Sequence, residues 1–435
     1  MGRLRRLARW LGRRWALLAV LGAALLGLVP FWLGTGESYE VRELLLGRWG
    51  SGAGELGLLE AEGSRLGPAA FAPLPDGGVL VADTWNGRLL RFDRRGRLVP
   101  GPSWPQPSPG PAAGLAGIAV PVVAAEARHT PAGQAQSPSS AAPAPPECAL
   151  PLALGPAPPP APAPALGAPL LALAVDEGRV YLATGGSRQV QVLSLGGKPL
   201  AALELPADPA VPAEPDAWAL EDLHAARGQL YWSEQVTGAD GHRRRLWHLP
   251  WRGSWELAAE VVLSPQGEVT VGGRAGVAWN SLALDAAGRL CLEVPAESPL
   301  VRRAVVLGRR GVLREGRLLL PGVPDVVHLV GVDGDGCPFL LVEAPPGYVR
   351  VLRYPRLAAP SEDAPQPCSP ASAWTSPPGV ADLGMRACLG PRGALYLAEA
   401  RREGYALRVI QRQGRWRLGW RRFCRLVRLA RGGKG

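Results

Sequence analysis

Apolar residues in this chain gather into short runs, each closed by a glycine-bearing turn and followed by a second apolar run that often ends on an acidic residue. Six such units can be written down: Ala69 to Val99, Leu170 to Leu200, Ala219 to Gln235, Asn280 to Val294, Val327 to Glu343 and Met385 to Ala400. Runs this short, alternating or wholly apolar, predict β-strands, and the glycine supplies the positive φ of a tight hairpin turn. A third strand follows in the first two units, at Arg88 to Phe92 and Gln189 to Leu193. The turn glycines Gly78, Gly178, Gly228, Gly288, Gly336 and Gly393 fall mostly about 50 to 60 residues apart, which suits four short strands per blade. One four-stranded sheet cannot bury both of its faces, whereas six in a ring cover one another. The predicted fold is all-β, a six-bladed β-propeller spanning residues 38–435. Closing the ring requires both chain ends in one blade, and Tyr39 to Trp49 (YEVRELLLGRW) is the expected completing strand.

Residues 100–167 and 355–379 break the pattern. Their proline density removes backbone donors and favours extended polyproline conformations, so both are expected to be surface insertions between blades. Ahead of the repeats, Trp15 to Leu33 (WALLAVLGAALLGLVPFWL) carries no charge. At about 1.5 Å per helical residue it reaches the ~30 Å of a hydrocarbon core, which predicts a transmembrane helix at 15–33. Residues 1–14 hold Arg3, Arg5, Arg6, Arg9, Arg13 and Arg14, which the positive-inside rule keeps in the cytoplasm. Everything after Leu33 is then extracytoplasmic. A cleaved signal peptide is the competing reading, because Gly34, Thr35 and Gly36 are small; the length of the run and the absence of an A-x-A site favour an uncleaved signal anchor.

The first unit carries a family resemblance. Leu74 to Leu98 (LPDGGVLVADTWNGRLLRFDRRGRL) resembles an NHL repeat in its D-G turn, its V-A-D-T strand end, the N-x-R group of Asn86 and Arg88, and the closing F-D-x-x-G of Phe92, Asp93 and Gly96. The likeness is fullest here and partial in the second unit; the later units keep strand, turn and strand but lack the Asn and Arg. The resemblance implies a propeller that serves as a binding platform. Propellers of similar shape include lactonases and lyases with a metal in the central channel.

Charge changes this picture little. The 435 residues carry a formal net charge of +11, but the arginines are spread along the chain and no nucleic-acid-binding motif accompanies them, so no nucleic-acid partner is expected. The basic tail at about 412–435 (RWRLGWRRFCRLVRLARGGKG within it) has Phe423, Leu426, Val427 and Ala430 at helical spacing. It reads either as a helix on anionic lipid or an acidic partner, or as a last strand over Trp416 to Val427 followed by a frayed end. Cys148, Cys291, Cys337, Cys368, Cys388 and Cys424 contain no C-x-x-C pair, which argues against structural zinc. Buried thiols with one bridge, such as Cys368 to Cys388, are expected. Trp232, Trp247, Trp251 and Trp255 are assigned to packing within and between blades.

Two sets of polar residues are candidates for chemistry. Asp83, Glu234, Glu343 and Glu399, with Thr184 in the same register, end the second strands; recurrence once per blade predicts a structural role, Asp83 accepting bonds from backbone or Arg88. Glu221, Asp222, Asn280, Asp325, His328 and Asp382 lie at or near the inner strands that surround the channel. Within them Asp222, Asn280, Asp325 and Asp382 form an oxygen-donor set suited to Ca²⁺ or Mg²⁺. No G-x-S-x-G, H-E-x-x-H or phosphate-binding loop is present, and His129, His224, His242, His248 and His328 lack ligand spacing. No catalytic residue or organic cofactor is predicted. The function expected is a membrane-tethered extracytoplasmic binding or scaffolding module for a protein or envelope component, with a divalent-metal-dependent hydrolase or lyase of lactonase type as the alternative.

Overall fold

The computed structural model describes residues 39–100 and 170–413, apart from 62–63, 185–187, 207–217, 239–240, 251–252, 265–268, 273–277, 309–310, 345–347, 361–364 and 391–392. The described chain is built of antiparallel sheets in which strands follow one another in sequence order. Blade one holds Ala70–Pro73, Val79–Asp83 and Arg88–Phe92; blade two holds Leu170–Asp176, Arg179–Thr184, Gln189–Ser194 and Pro199–Glu204. Blade three has five strands, Trp218–Ala226, Gln229–Gly238, Gly241–Leu249, Glu256–Leu263 and Val269–Gly272. Blade four comprises Ser281–Leu284, Leu290–Pro295, Val301–Gly308 and Gly311–Leu319, and blade five Val326–Val332, Pro338–Ala344, Tyr348–Arg353 and Ser372–Ser376. Blade six is made of Ala387–Leu389, Leu395–Ala400 and Gly404–Arg412, completed by Tyr39–Arg48 from the other end of the chain.

The closing strand runs antiparallel to Gly404–Arg412, in register from Tyr39 opposite Arg412 to Arg48 opposite Gly404. Gly404 packs so tightly against it that an added Cβ would meet the Gly47 carbonyl. Six apolar cores lie between consecutive blades. One of them joins blade six to blade one, through Leu44, Leu46, Tyr405 and Leu407 against Phe71, Val79, Val81 and Phe92. That last core closes the ring. The chain is a six-bladed β-propeller. Second strands are covered on both faces, which is why Val79–Asp83 and Leu395–Ala400 are buried at every position and read as continuous rather than alternating apolar runs.

Several expectations need adjustment. In blade one the positive φ falls on Gly77 rather than Gly78. The proline-rich stretch at 355–379 is not simply a loop: Ser372–Ser376 is the outer strand of blade five, with Trp374 against Tyr39 and Phe339. Ala358 and Cys368 meanwhile bridge to Glu315 and Leu318 of blade four. Cys368 and Cys388 are both free thiols. They belong to different blade contexts, Cys368 donating to the Arg317 carbonyl and Cys388 lying on the inner strand of blade six, so no bridge forms. Blade three gains its fifth strand where no strand was expected, and the last described strand of blade six, Gly404–Arg412, precedes the basic tail. The transmembrane expectation at 15–33, the insertion at 101–167, Cys148, Cys424 and the tail beyond residue 413 lie outside the described residues.

Candidate functional site

Each blade opens with its inner strand, so the inner-strand starts share one rim of the ring, and the second strands end at that same rim. There the carboxylates anticipated from the repeat are paired with arginine, Asp83, Glu234 and Glu399 buried and Glu343 34% exposed. Asp83 accepts hydrogen bonds from the Gly57 backbone at 2.7 Å, Asn86 at 2.8 Å and Arg88 Nε at 2.9 Å. Arg88 in turn donates to the Gly52 and Glu55 carbonyls. The NHL-like N-x-R group of blade one is therefore a clamp holding the connection from blade six. Glu234 accepts from Arg188 of blade two at 2.6 Å and from the indoles of Trp232 and Trp247 at 3.3 and 2.8 Å. Glu399 pairs with Arg401 and Arg408, both at 2.7 Å, and Glu343 lies 3.6 Å from Arg386 of blade six. Glu293, which the sequence reading passed over, fills the same position in blade four beside Arg302, Asn280 and Ser281. Its signal was the E of L-C-L-E-V, one strand after Asn280. This belt is structural.

A different arrangement appears on the inner strand of blade three. The ladder shifts between Leu220 and Asp222, so Glu221 is the extra residue of a β-bulge. Before the bulge Trp218 and Leu220 pack toward blade two; after it Leu223 and Ala225 do, which turns Asp222 and His224 the other way, toward blade four. Glu221 accepts from Ser233 Oγ at 2.8 Å and from Arg244 Nε at 2.5 Å. Arg244 also donates to the Trp279 carbonyl at 2.6 Å, with its guanidinium 5.5 Å from the centre of the Trp279 ring. The charge of Glu221 is thus answered.

That of Asp222 is not. No hydrogen-bond donor reaches its carboxylate from the described residues, and its one ionisable contact is His224 Nε2, 3.8 Å from Oδ1, with the two side chains 15% and 23% exposed. The same His224 Nε2 is buried without a partner, while the ring is held by a hydrogen bond to the Leu282 backbone of blade four, which falls to Nδ1. With the proton on Nδ1, Nε2 presents a lone pair toward the carboxylate. Burial, reinforced by Glu221 and offset by His224 and Arg244, pushes Asp222 up to about 6. Burial lowers His224, with Asp222 opposing and His328 adding to the shift. On the inner strand of blade five, His328 is lowered to about 4 by burial and by Arg244.

The remaining members of the predicted oxygen set are engaged elsewhere. Asn280 gives its side-chain amide to Glu293 at 3.1 Å, exposed Asp325 has no side-chain partner among the described residues and donates its backbone N–H to the Glu343 carbonyl, and Asp382 takes Arg386 at 3.2 Å. Among the described residues no three His, Cys, Asp or Glu side chains gather as a metal would require. With one donor paired to a carboxylate and another to an arginine, the residues present do not fit a Ca²⁺ or Mg²⁺ site. Trp232 and Trp247 are buried packing residues, as expected.

No family model and no curated protein matches this chain. Solved structures resemble it in outline. Virginiamycin B lyase from Staphylococcus aureus is 10% identical over 86% of this chain and 99% of its own, with a TM-score of 0.37. A putative oxidoreductase (glucose dehydrogenase) from Thermus thermophilus is 17% identical over 85% and 100%, at 0.37. Regucalcin, a calcium-binding protein from Agrobacterium tumefaciens, is 12% identical over 80% and 91%, at 0.37. At these identities and scores nothing about activity passes from them to this chain.

Proposed function

We propose that this protein is a membrane-tethered, extracytoplasmic propeller that acts as a binding module, taking its ligand at the inner-strand rim of blades three to five. The observation that carries the binding reading is the acceptor pair of Asp222 and His224 Nε2, left without donors while the belt carboxylates, blade three's own Glu234 included, are paired. Buried polar groups are ordinarily satisfied, so acceptors left without donors are where a ligand's N–H or O–H groups find partners. The tether rests on the uncharged run Trp15 to Leu33 behind six arginines, with the propeller and its protein or envelope partner on the far side of the membrane.

Alkaline carbonate extraction of membranes from cells making the full chain tests the tether, and added protease tests the side. A chain released by carbonate, or digested only after lysis, would refute the placement. Native mass spectrometry of the purified protein beside Asp222→Ala tests the module: a co-purifying species lost in the variant is the expected result. The channel hydrolase or lyase remains as a second reading for one reason, that a carboxyl titrating near 6 beside a neutral histidine is able to trade a proton with substrate. Turnover of a lactone or ester that changes with pH around 6 and is lost in Asp222→Asn would favour it.

A further inference from the structure

We propose that the Asp222–His224 site selects a small primary ammonium, bound with its N–H groups directed to the Asp222 carboxylate and to His224 Nε2. The argument starts from what the site lacks. It presents two acceptors 3.8 Å apart and no free donor between them, so a ligand that brings only acceptors, such as a carboxylate or phosphate, finds nothing there to bond. A neutral hydroxyl brings one proton and satisfies one of the two. A primary ammonium brings three, and one positive charge.

Charge decides between the donors. The charged and titratable groups around the site come from two blades: Glu221 and His224 on the same strand as Asp222 and Arg244 on the third strand of blade three, with His328 of blade five acting on His224. Glu221 and Arg244 neutralise each other at 2.5 Å, and both histidines are disfavoured as cations by burial. What remains is one half-buried carboxylate with no counter-ion. Burying such a charge is unfavourable unless it is paired and hydrogen-bonded, and an ammonium supplies both at once. The bulge at Glu221 gives this geometry its origin, since if the same sequence paired without a bulge, strict alternation from Leu220 would turn Asp222 and His224 into the apolar core against blade two.

This deepens the binding-module reading and rests on it only in that a ligand enters at this rim. The test is calorimetry of the full chain in detergent with methylammonium and benzylammonium as probes, benzyl alcohol as the neutral counterpart and Ca²⁺ as the inorganic cation. Benzylammonium or methylammonium should bind saturably at pH 7, benzyl alcohol at least tenfold more weakly, and Asp222→Asn should lose the ammonium by tenfold or more while melting no lower than the parent. Because Asp222 titrates at about 6, its ionised fraction falls roughly tenfold between pH 7 and pH 5, and ammonium affinity should fall with it. Histidine ¹⁵N spectra give an independent readout: the Nε2 resonance of His224 should move on binding and that of His242 should not. Equal binding of the alcohol, full retention in Asp222→Asn, Ca²⁺ displacing the amine by taking the site itself, or no heat with either amine would each overturn the proposal. A co-purifying species lost in Asp222→Ala alongside no amine binding would sink the ammonium class and leave the module standing.

Discussion

Replacing Glu234 with alanine should unfold the propeller at a markedly lower temperature, although the residue touches neither the channel site nor solvent. Glu234 is fully buried and accepts four bonds, two from Arg188 at 3.1 and 2.6 Å and one from each indole of Trp232 and Trp247. Removing it leaves a guanidinium that is 16% exposed and two indole N–H groups without acceptors at the seam of blades two and three. Breaking a buried pair on one side costs about 3 to 5 kcal/mol, because the other charge stays desolvated. For a domain of this size each kcal/mol moves the melting temperature by roughly 2 °C, so a fall on the order of 6 to 10 °C is expected. Differential scanning fluorimetry of the variant and parent measures it. The built-in comparison is Glu60→Ala, which removes a pair to Arg65 whose side chains are 63% and 54% exposed. Such pairs contribute about 1 kcal/mol or less. If Glu234→Ala fell no further than Glu60→Ala, the belt of arginine-paired carboxylates would not be what locks the blades.

Two further outcomes follow from other parts of the ring. Asp222 is protonated more readily folded than unfolded, about 6 against roughly 3.9, so the fold binds the extra proton between those values and loses stability as pH rises through them. Asp222→Asn should therefore melt higher than the parent at pH 8, by about 1 to 3 kcal/mol, and no higher at pH 4; equal stabilisation at both would exclude the linkage. A chain beginning at Trp49 lacks the strand paired to Gly404–Arg412 and exposes the core around Leu407, and it should lose the cooperative thermal transition of the same chain beginning at Gly36. An unchanged melt would mean the ring does not depend on that clasp.

The fold was legible because its signals are local. Hairpin turns, apolar runs and the acidic residue closing the second strand repeat within each unit, and the YEVRELLL run had no other place to bury Leu44 and Leu46. The partners of those acids were not legible, since Arg188 reaches Glu234 from 46 residues away and Arg386 reaches Glu343 from the next blade. Nor was the grouping of Asp222 with His224. It depends on a one-residue bulge that reverses which residues face the core, and period-two reading across Leu220 to Leu223 cannot see it. Asn280 directly precedes its inner strand and Asp382 lies five residues before Ala387–Leu389, bridged to Leu66, and Glu293 and Arg386 claim their side chains.

The clasp also has a mechanical meaning. Tyr39 faces Arg412 across an antiparallel ladder, so the chain enters and leaves the ring side by side. Tension drawn between those two points would load the rungs one after another, as a zipper is opened, rather than all together in shear. A pull on one end alone finds no such seam, because the strand is then held along its whole length by the same ladder and by the core beneath Leu44 and Leu46. Joining the two ends by a short linker and opening the chain between other blades would move that weak point around the circle without altering a single blade.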